Sequence, residues 1–510
     1  MHLSGLLPLV VLQLTLAAAA AAEAVILKLP YITLQGTTST DTNLTVYSRI
    51  PFARAPSRFR APQPPQDVRA AGVYDATRSF DMCPQRASNG SEDCLYLGVY
   101  GRPWKEGQRK RPVMVSFYGG GFIQGDANLR APWPQVYPVL NLTADGFVAV
   151  YVNYRVNAFG FLPGKRVKDG ADLNVGLLDQ RRALEWVRSY ISKFGGDPND
   201  VTIWGQSAGG GSVVSQLIAN GGKTKPQLFR RAILSSPFWP RHYRYDSTEA
   251  EDLFDTLAEL TGCAGNATVD PLECLKTVPV QTILDANVVI NAMHTNTTSS
   301  YTWAPVIDDD LLPLSLSEAT RRGAINGEAV LAVYNTYEGT TFIPGYVSTE
   351  NKTREWVKGF LPNFDETALQ KVEDAYPPSA NVSARDRAGF IYRDVVLSCP
   401  AFWLAAGAKS GWIGEYQISP ARHASDVGYW NTVNSLQTTS PITYKGYTGG
   451  FAGFITKGNP NAISGVTWPP IRNGKGLGMV INLEQFGTQS LADLKKKCDF
   501  WRSMGGTVPV

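Results

Sequence analysis

Between Arg111 and Ser236 the chain alternates short apolar runs with helical patterns, and this alternation constrains the fold more than any other feature. Pro112–Phe117 and Phe147–Val152 are compact apolar runs of the kind that form buried parallel strands. Leu177, Leu184, Val187, Ile191 and Phe194 recur at helical spacing, and Gly195-Gly196-Asp197-Pro198 ends that helix. Val201–Trp204 reads as the next strand, broken sharply at Gly205. Residues 208–219 then read as a helix and Ala232–Ser235 as one more strand. The repeating order implies an α/β architecture, with a mostly parallel central sheet covered by helices on both faces. Ligands of such sheets sit beyond the carboxyl ends of the strands.

No internal repeat or long linker divides the 510 residues, so a single domain over 25–510 is expected. Ahead of it, Leu6–Leu16 is apolar and runs into alanines, the pattern of a secretory signal over 1–24 cleaved after Ala22 or Ala24. That segment is short for a membrane span, and no later stretch is apolar enough to cross, so no stable membrane insertion is expected. The six cysteines form an even set that suits an oxidising compartment. Asn43, Asn89, Asn141, Asn266, Asn296, Asn351 and Asn381 each head an Asn-x-Ser/Thr sequence, a glycosylation candidate that matters only on the secretory route. Together these place the protein outside the cell. The net charge of +4 is small, and Lys495–Lys497 is an isolated triplet on a solvated helix face, so no nucleic-acid partner is expected. Nothing in the sequence bears on oligomeric state.

Gly205-Gln206-Ser207-Ala208-Gly209 is a G-x-S-x-G pattern lying between a strand and a helix. Such a turn is too tight for side chains two residues either side of the serine, and it lifts the serine hydroxyl into a cleft. About ninety residues earlier, Tyr118-Gly119-Gly120-Gly121-Phe122 can bend its N–H groups toward a developing oxyanion. The backbone amides of Gly120, Gly121 and Ala208 are the expected donors, the last aided by the helix dipole. A phosphate-binding loop is the competing reading of the glycines, but no G-x-x-x-x-G-K-[ST] is present.

Taken in order, Ile50-Pro51-Phe52-Ala53, Arg58-Phe59, Ser91–Leu97, Tyr118–Phe122, Asn153-Tyr154-Arg155, Asn174–Gln180, Phe194–Pro198 and Gly205–Gly210 resemble the type-B carboxylesterase/lipase family, which includes the cholinesterases. The resemblance runs from about Leu27 to Trp501 and implies an α/β-hydrolase fold. Tyr118 stands where many members carry His, and Gln206 where many carry Glu. The compact ending Cys498-Asp499-Phe500-Trp501 is similar to fungal members.

A serine hydroxyl needs a positioned base, and in this fold the chain order is serine, acid, histidine. Of four histidines, His2 falls in the signal, and His242 and His294 precede every plausible acid. His423 remains, in a loop after the strand-like Glu415–Ile418; the family's His-Gly-x-Asp/Glu loop carries Ala424 here in place of glycine. The acid is Glu338, at the end of the apolar run Ala329–Val333, with Tyr337 in place of the family's usual Asp. Asp308–Asp310 and Asp426 are read as loop or supporting carboxylates. Ser236 aligns with a family serine that hydrogen-bonds near the acid.

The resemblance further pairs Cys83 with Cys94, Cys263 with Cys274 and Cys399 with Cys498, each bridge contributing about 3–5 kcal/mol in the chain-entropy model. It also implies structural ion pairs Arg58–Glu92 and Arg155–Asp179. Ten residues, none aromatic, separate Cys83 from Cys94, too few for a lipase-type lid and without the tryptophan that seats choline. The implied activity is a carboxylesterase using a Ser-Glu-His triad through an acyl-enzyme on a small-molecule ester. It needs no cofactor, and no Cys/His metal spacing occurs. A lipase or sterol esterase is the alternative, and a non-catalytic adhesion protein the more distant one, disfavoured by the presence of Ser207, Glu338 and His423 together.

Overall fold

The computed structural model describes residues 23–85, 90–127, 137–144, 146–265, 268–298, 302–472 and 474–505, without the side chains of 294–298. The expected signal segment up to Ala22, together with Asn89 and Asn266, lies outside the described residues, as do the side chains of His294 and Asn296.

Among the described residues one 14-stranded sheet organises the chain. Its strands are β1 (Glu23–Leu29), β2 (Ile32–Ser39), β3 (Leu44–Pro51), β4 (Val73–Asp75), β5 (Tyr96–Gly101), β6 (Arg111–Phe117) and β7 (Val148–Val152). They continue with β8 (Gly196–Gln206), β9 (Arg231–Ser235), β10 (Ala329–Asn335), β11 (Ser410–Tyr416), β12 (Pro470–Ile471), β13 (Leu477–Asn482) and β14 (Gln485–Ser490). The main order is β1-β2-β3-β5-β7-β6-β8-β9-β10-β11-β13-β14. From β7 to β13 every neighbouring pair in that order is parallel. Antiparallel pairs close both ends, from β1 to β7 on one side and β13–β14 on the other.

Side-chain alternation explains why this sheet sits between two helical layers. In β6, Val113, Val115 and Phe117 enter one core while Met114 enters the other. In β10, Val330, Ala332 and Tyr334 face the first core and Ala329, Leu331 and Val333 the second. Both faces are apolar, so each must be covered, and the sequence reads as continuous hydrophobic runs.

The helix expected from Leu177 to Phe194 is an α-helix, Val175–Tyr190, tightening into a 3₁₀ turn over Ile191–Phe194. Two strands start five residues earlier than expected. Strand β8 already starts at Gly196, inside the helix stop signal, and Pro198 is tolerated because the pairing with β6 is irregular between Arg111 and Val113. The strand anticipated at Glu415–Ile418 begins earlier, at Ser410, and ends at Tyr416. Its start was masked by Gly411, whose missing side chain lets the backbone approach Ala405; a Cβ there would lie 1.7 Å from the Ala405 carbonyl oxygen.

All three expected disulfides are present, Cys83–Cys94, Cys263–Cys274 and Cys399–Cys498. Both ion pairs form too: Arg58 meets Glu92 at 2.8 Å, and the buried Arg155 meets the buried Asp179 at 2.7 Å. Asn43, Asn141, Asn351 and Asn381 are exposed. Among the described residues no helix is long and apolar enough to cross a membrane.

Candidate active site

Each singled-out side chain sits just past the carboxyl end of a parallel strand. Ser207 follows β8, the glycine loop follows β6, Glu338 follows β10 and His423 follows β11. Ser207 has φ 57° and ψ −126°, a strained conformation for a residue with a side chain. The strain is imposed by backbone contacts. A Cβ on Gly205 would lie 2.0 Å from the Gly209 oxygen, and one on Gly209 would lie 2.1 Å from the Phe117 oxygen. The serine backbone is tied in place: its N–H donates to Ser235 O at 3.0 Å, and its carbonyl accepts from Gly211 and Phe238 at 2.9 and 2.8 Å. The helix Ala208–Ile218 starts immediately after it.

The structure brings Ser207, His423 and Glu338 together from positions far apart in sequence. His423 Nε2 is 2.9 Å from Ser207 Oγ, and His423 Nδ1 is 3.1 Å from Glu338 Oε2. Glu338 is completely buried, on a 3₁₀ turn over Glu338–Phe342. Gly339 lets that turn press against the helix Ala384–Arg393, since a Cβ on it would lie 1.8 Å from the Gly389 oxygen. The imidazole has two further neighbours, the Gln206 amide nitrogen 3.4 Å from Nε2 and the Phe342 ring 5.0 Å away.

The glycine loop lies against the elbow, because a Cβ on Gly119 would come within 3.1 Å of the Ser207 Cβ. Gly120 and Gly121 have φ of 117° and 66°, backbone conformations that favour glycine. The N–H groups of Gly120, Gly121 and Ala208 donate to no acceptor among the described residues, and backbone amides left free in this way are suited to a developing negative oxygen. Tyr118 anchors the loop: its hydroxyl donates to Tyr154 O, Tyr154 donates back to Tyr118 O at 2.6 Å, and the rings stack at 4.1 Å. Burial pushes the Tyr118 hydroxyl well above the usual tyrosine range, so it stays a donor.

Ser236 is buried at φ 46°, with its N–H on Val333 O at 2.7 Å, and its expected bond to the acid is not formed. Glu338 Oε1 has no hydrogen-bond partner among the described residues. The chain turns so sharply at Ser236 that its backbone, not its hydroxyl, serves the neighbouring strand. Asp426 also stays off the imidazole; it accepts from Tyr447, Trp430 and Asn335 at 2.8, 3.1 and 3.2 Å. Asp308 lies elsewhere, bonded to Asn174 at 2.7 Å.

Sequence reasoning missed the supporting residues. Asn335 donates to Arg422 O at 3.0 Å, and Tyr337 N–H donates to Ala421 O at 2.9 Å, lacing the acid's turn to the histidine loop. Asn335 closes an apolar strand, and a fully buried amide there was the available signal. A cavity of about 360 Å³ opens nearby, lined by Pro240, Leu253, Phe360, Tyr392 and Val396 among others. Tyr392 stacks on Phe342 at 4.9 Å, which connects the cavity wall to the imidazole's neighbour. Buried His242 is not part of the triad; it stacks on Trp239 at 3.5 Å.

Comparison with known proteins identifies the family and the fold. The family model described as "Carboxylesterase family" matches residues 23–501. The chain is 30% identical over 467 residues to carboxylesterase patB of Aspergillus clavatus, covering 86% of this chain and 81% of that one. It is 29% identical to a secreted lipase of Arthroderma benhamiae, over 81% of this chain and 83% of the relative. Among solved structures, EstA of Aspergillus niger superposes with a TM-score of 0.84 at 28% identity, covering 95% of this chain and 99% of EstA.

Proposed function

The chain belongs to the carboxylesterase family and has the α/β-hydrolase fold of a carboxylic-ester hydrolase, and from that premise we propose that it is a secreted serine esterase working through an acyl-enzyme on Ser207. The observation that carries this reading is the unbroken chain of contacts from Ser207 Oγ to His423 Nε2 at 2.9 Å and from His423 Nδ1 to Glu338 Oε2 at 3.1 Å.

In the first half, His423 takes the proton as Ser207 Oγ attacks the ester carbonyl. Glu338 holds the ring tautomer and stabilises the imidazolium. The carbonyl oxygen becomes an oxyanion against the N–H groups of Gly120, Gly121 and Ala208. His423 then gives its proton to the departing alcohol. In the second half, water attacks the acyl-enzyme by the same route and releases the acid and free Ser207.

Esters of modest size fit best. A cavity of about 360 Å³ is joined to the imidazole only through Tyr392 and Phe342, and the ten residues between Cys83 and Cys94 are too few for an interfacial lid. The lipase reading has one specific support, the similarity to secreted lipases of Arthroderma benhamiae and Gibberella zeae. Turnover of p-nitrophenyl esters from short to long acyl chains separates the two, with short and medium chains expected to be favoured. Ser207→Ala is expected to lower kcat by about 10⁴-fold or more while the thermal melt is retained. Comparable turnover in the variant refutes the assignment.

The secretory reading rests on the apolar leader, the fully bridged cysteines and the exposed sequons. Material secreted from a eukaryotic host is expected to begin at Glu23 or Val25 and to lose mass on enzymatic deglycosylation.

A further inference from the structure

We infer that Gln85 is a positioning residue for the esterase reaction proposed above, on which this inference rests: its side-chain amide holds the glycine loop in the shape that points its N–H groups at the oxyanion. Gln85 is buried, two residues past Cys83. Its Oε1 accepts from Gly125 N–H at 2.7 Å, while its Nε2 donates to Gly125 O at 2.8 Å and to Cys83 O at 3.0 Å. The amide therefore meets both polar groups of Gly125, as a neighbouring strand would. No other side-chain type of this length both donates and accepts in one plane.

Gly125 is the closing residue of the glycine loop. It has φ 122° and folds back so tightly that a Cβ on it would lie 2.4 Å from the Gly119 oxygen. Within the loop, Gly120 O accepts from Ile123 and Gln124 at 3.1 and 3.2 Å. Residues 119–125 thus form one closed turn, and a displacement at Gly125 is passed to Gly119 by direct contact and to Gly120 through Gln124.

Gln85 is itself anchored. The Cys83–Cys94 bridge ties down its loop, and Asn153 donates to Cys94 O at 2.9 Å. Asn157 donates from its side chain to Pro84 O at 2.9 Å and from its backbone to Phe122 O at 2.7 Å, clasping the disulfide loop and the glycine loop together. The short disulfide loop, too small for a lid, thereby acquires a role in the reaction: it carries the residue that sets the donor geometry. Donor positions matter at the half-ångström level, because they must match the oxyanion and not the ground-state carbonyl.

The test compares oxygen esters with their thionoester analogues, in which a C=S group replaces C=O and accepts hydrogen bonds poorly. Rates are expressed per Ser207 labelled by an organophosphate, so unfolded protein drops out. Gln85→Leu is expected to lower kcat for oxygen esters about 10- to 100-fold, less than the 10²–10³ of deleting a donor outright. KM should stay within about twofold, because ground-state binding is untouched. The oxygen-to-thiono rate ratio should fall by the same factor as kcat. Gln85→Glu keeps the bond from Gly125 N–H and loses both donations, so it should fall between wild type and Gln85→Leu; it decides the matter where the leucine variant does not fold. Equal losses on both ester types, or an unchanged kcat per labelled site, overturn the inference. Retained turnover in Ser207→Ala would instead overturn the underlying esterase reading.

Discussion

Ser207 and His423 meet at 2.9 Å, yet the two regions that deliver them are held by different forces. The elbow is held by backbone packed on backbone, with Gly205 and Gly209 at approaches no side chain tolerates. The histidine loop is exposed at Arg422 and Ala424, and its non-glycine residues Ala421 and Ala424 adopt φ of 47° and 68°. It is kept in place by separable hydrogen bonds from Asn335, Tyr337 and Tyr416. Steric constraint fails all at once, whereas a set of hydrogen bonds fails in steps. Damage to the elbow should therefore be abrupt and damage to the histidine loop graded.

The sharpest break is Gly209→Ala. A methyl 2.1 Å from the Phe117 oxygen must push β6 and the elbow apart, costing about 3 kcal/mol or more and over 100-fold in kcat/KM. Wild-type rate and melting temperature in this variant would show that the elbow relaxes, removing the contrast.

On the histidine side, Asn335→Ala removes the amide that joins Arg422 O and Asp426 to the acid's strand. Leaving Arg422 O and the buried Asp426 Oδ1 without this donor should cost about 1–3 kcal/mol, and kcat should drop roughly tenfold. Chemical denaturation and steady-state rates measure both. A loss as large as that of Gly209→Ala would mean that the loop is as cooperative as the elbow.

Acid acts instead on His242, which belongs to neither region and is buried beside Trp239, whose backbone N–H donates to Val396 O at 2.8 Å. Burial pushes the His242 imidazole down from about 6.5 to about 3, only partly opposed by its bond to Pro240 O. Below pH 6.5 the unfolded chain takes up this proton and the folded chain does not, so stability falls as pH drops from 6.5 toward 3. The slope approaches about 1.4 kcal/mol per pH unit and vanishes above the unfolded value. His242→Phe should flatten that part of the stability–pH curve, read by denaturant midpoints; an unchanged slope would assign it to other groups.

The smallest effect belongs to Ala424→Gly. Relief of the left-handed strain at φ 68° is worth about 1 kcal/mol, and the added freedom of the unfolded chain offsets about 0.4–1 kcal/mol of it. Net stability should rise by no more than about 0.6 kcal/mol in a thermal melt. A clear destabilisation would show that the exposed methyl makes contacts that hold the loop.

By itself the sequence determined the parts whose geometry is local. Gly205-Gln206-Ser207-Ala208-Gly209 specifies its own turn, because the clashes that forbid side chains there arise within a few residues and against the adjacent strand. Runs such as Val113–Phe117 and Ala329–Val333 announce buried strands, because two covered faces demand continuous apolar residues. The pairing of cysteines needed the family resemblance, since spacing alone leaves it open, whereas chain order and elimination among four histidines singled out His423. Tertiary structure decided what depends on partners remote in sequence. It left Ser236 off Glu338, put Gln85 on Gly125, buried His242 against Trp239 and set the antiparallel edges of the sheet. A buried polar group takes whichever partner the packed layers bring within about 3 Å, and one sharp turn or one register step changes which partner that is.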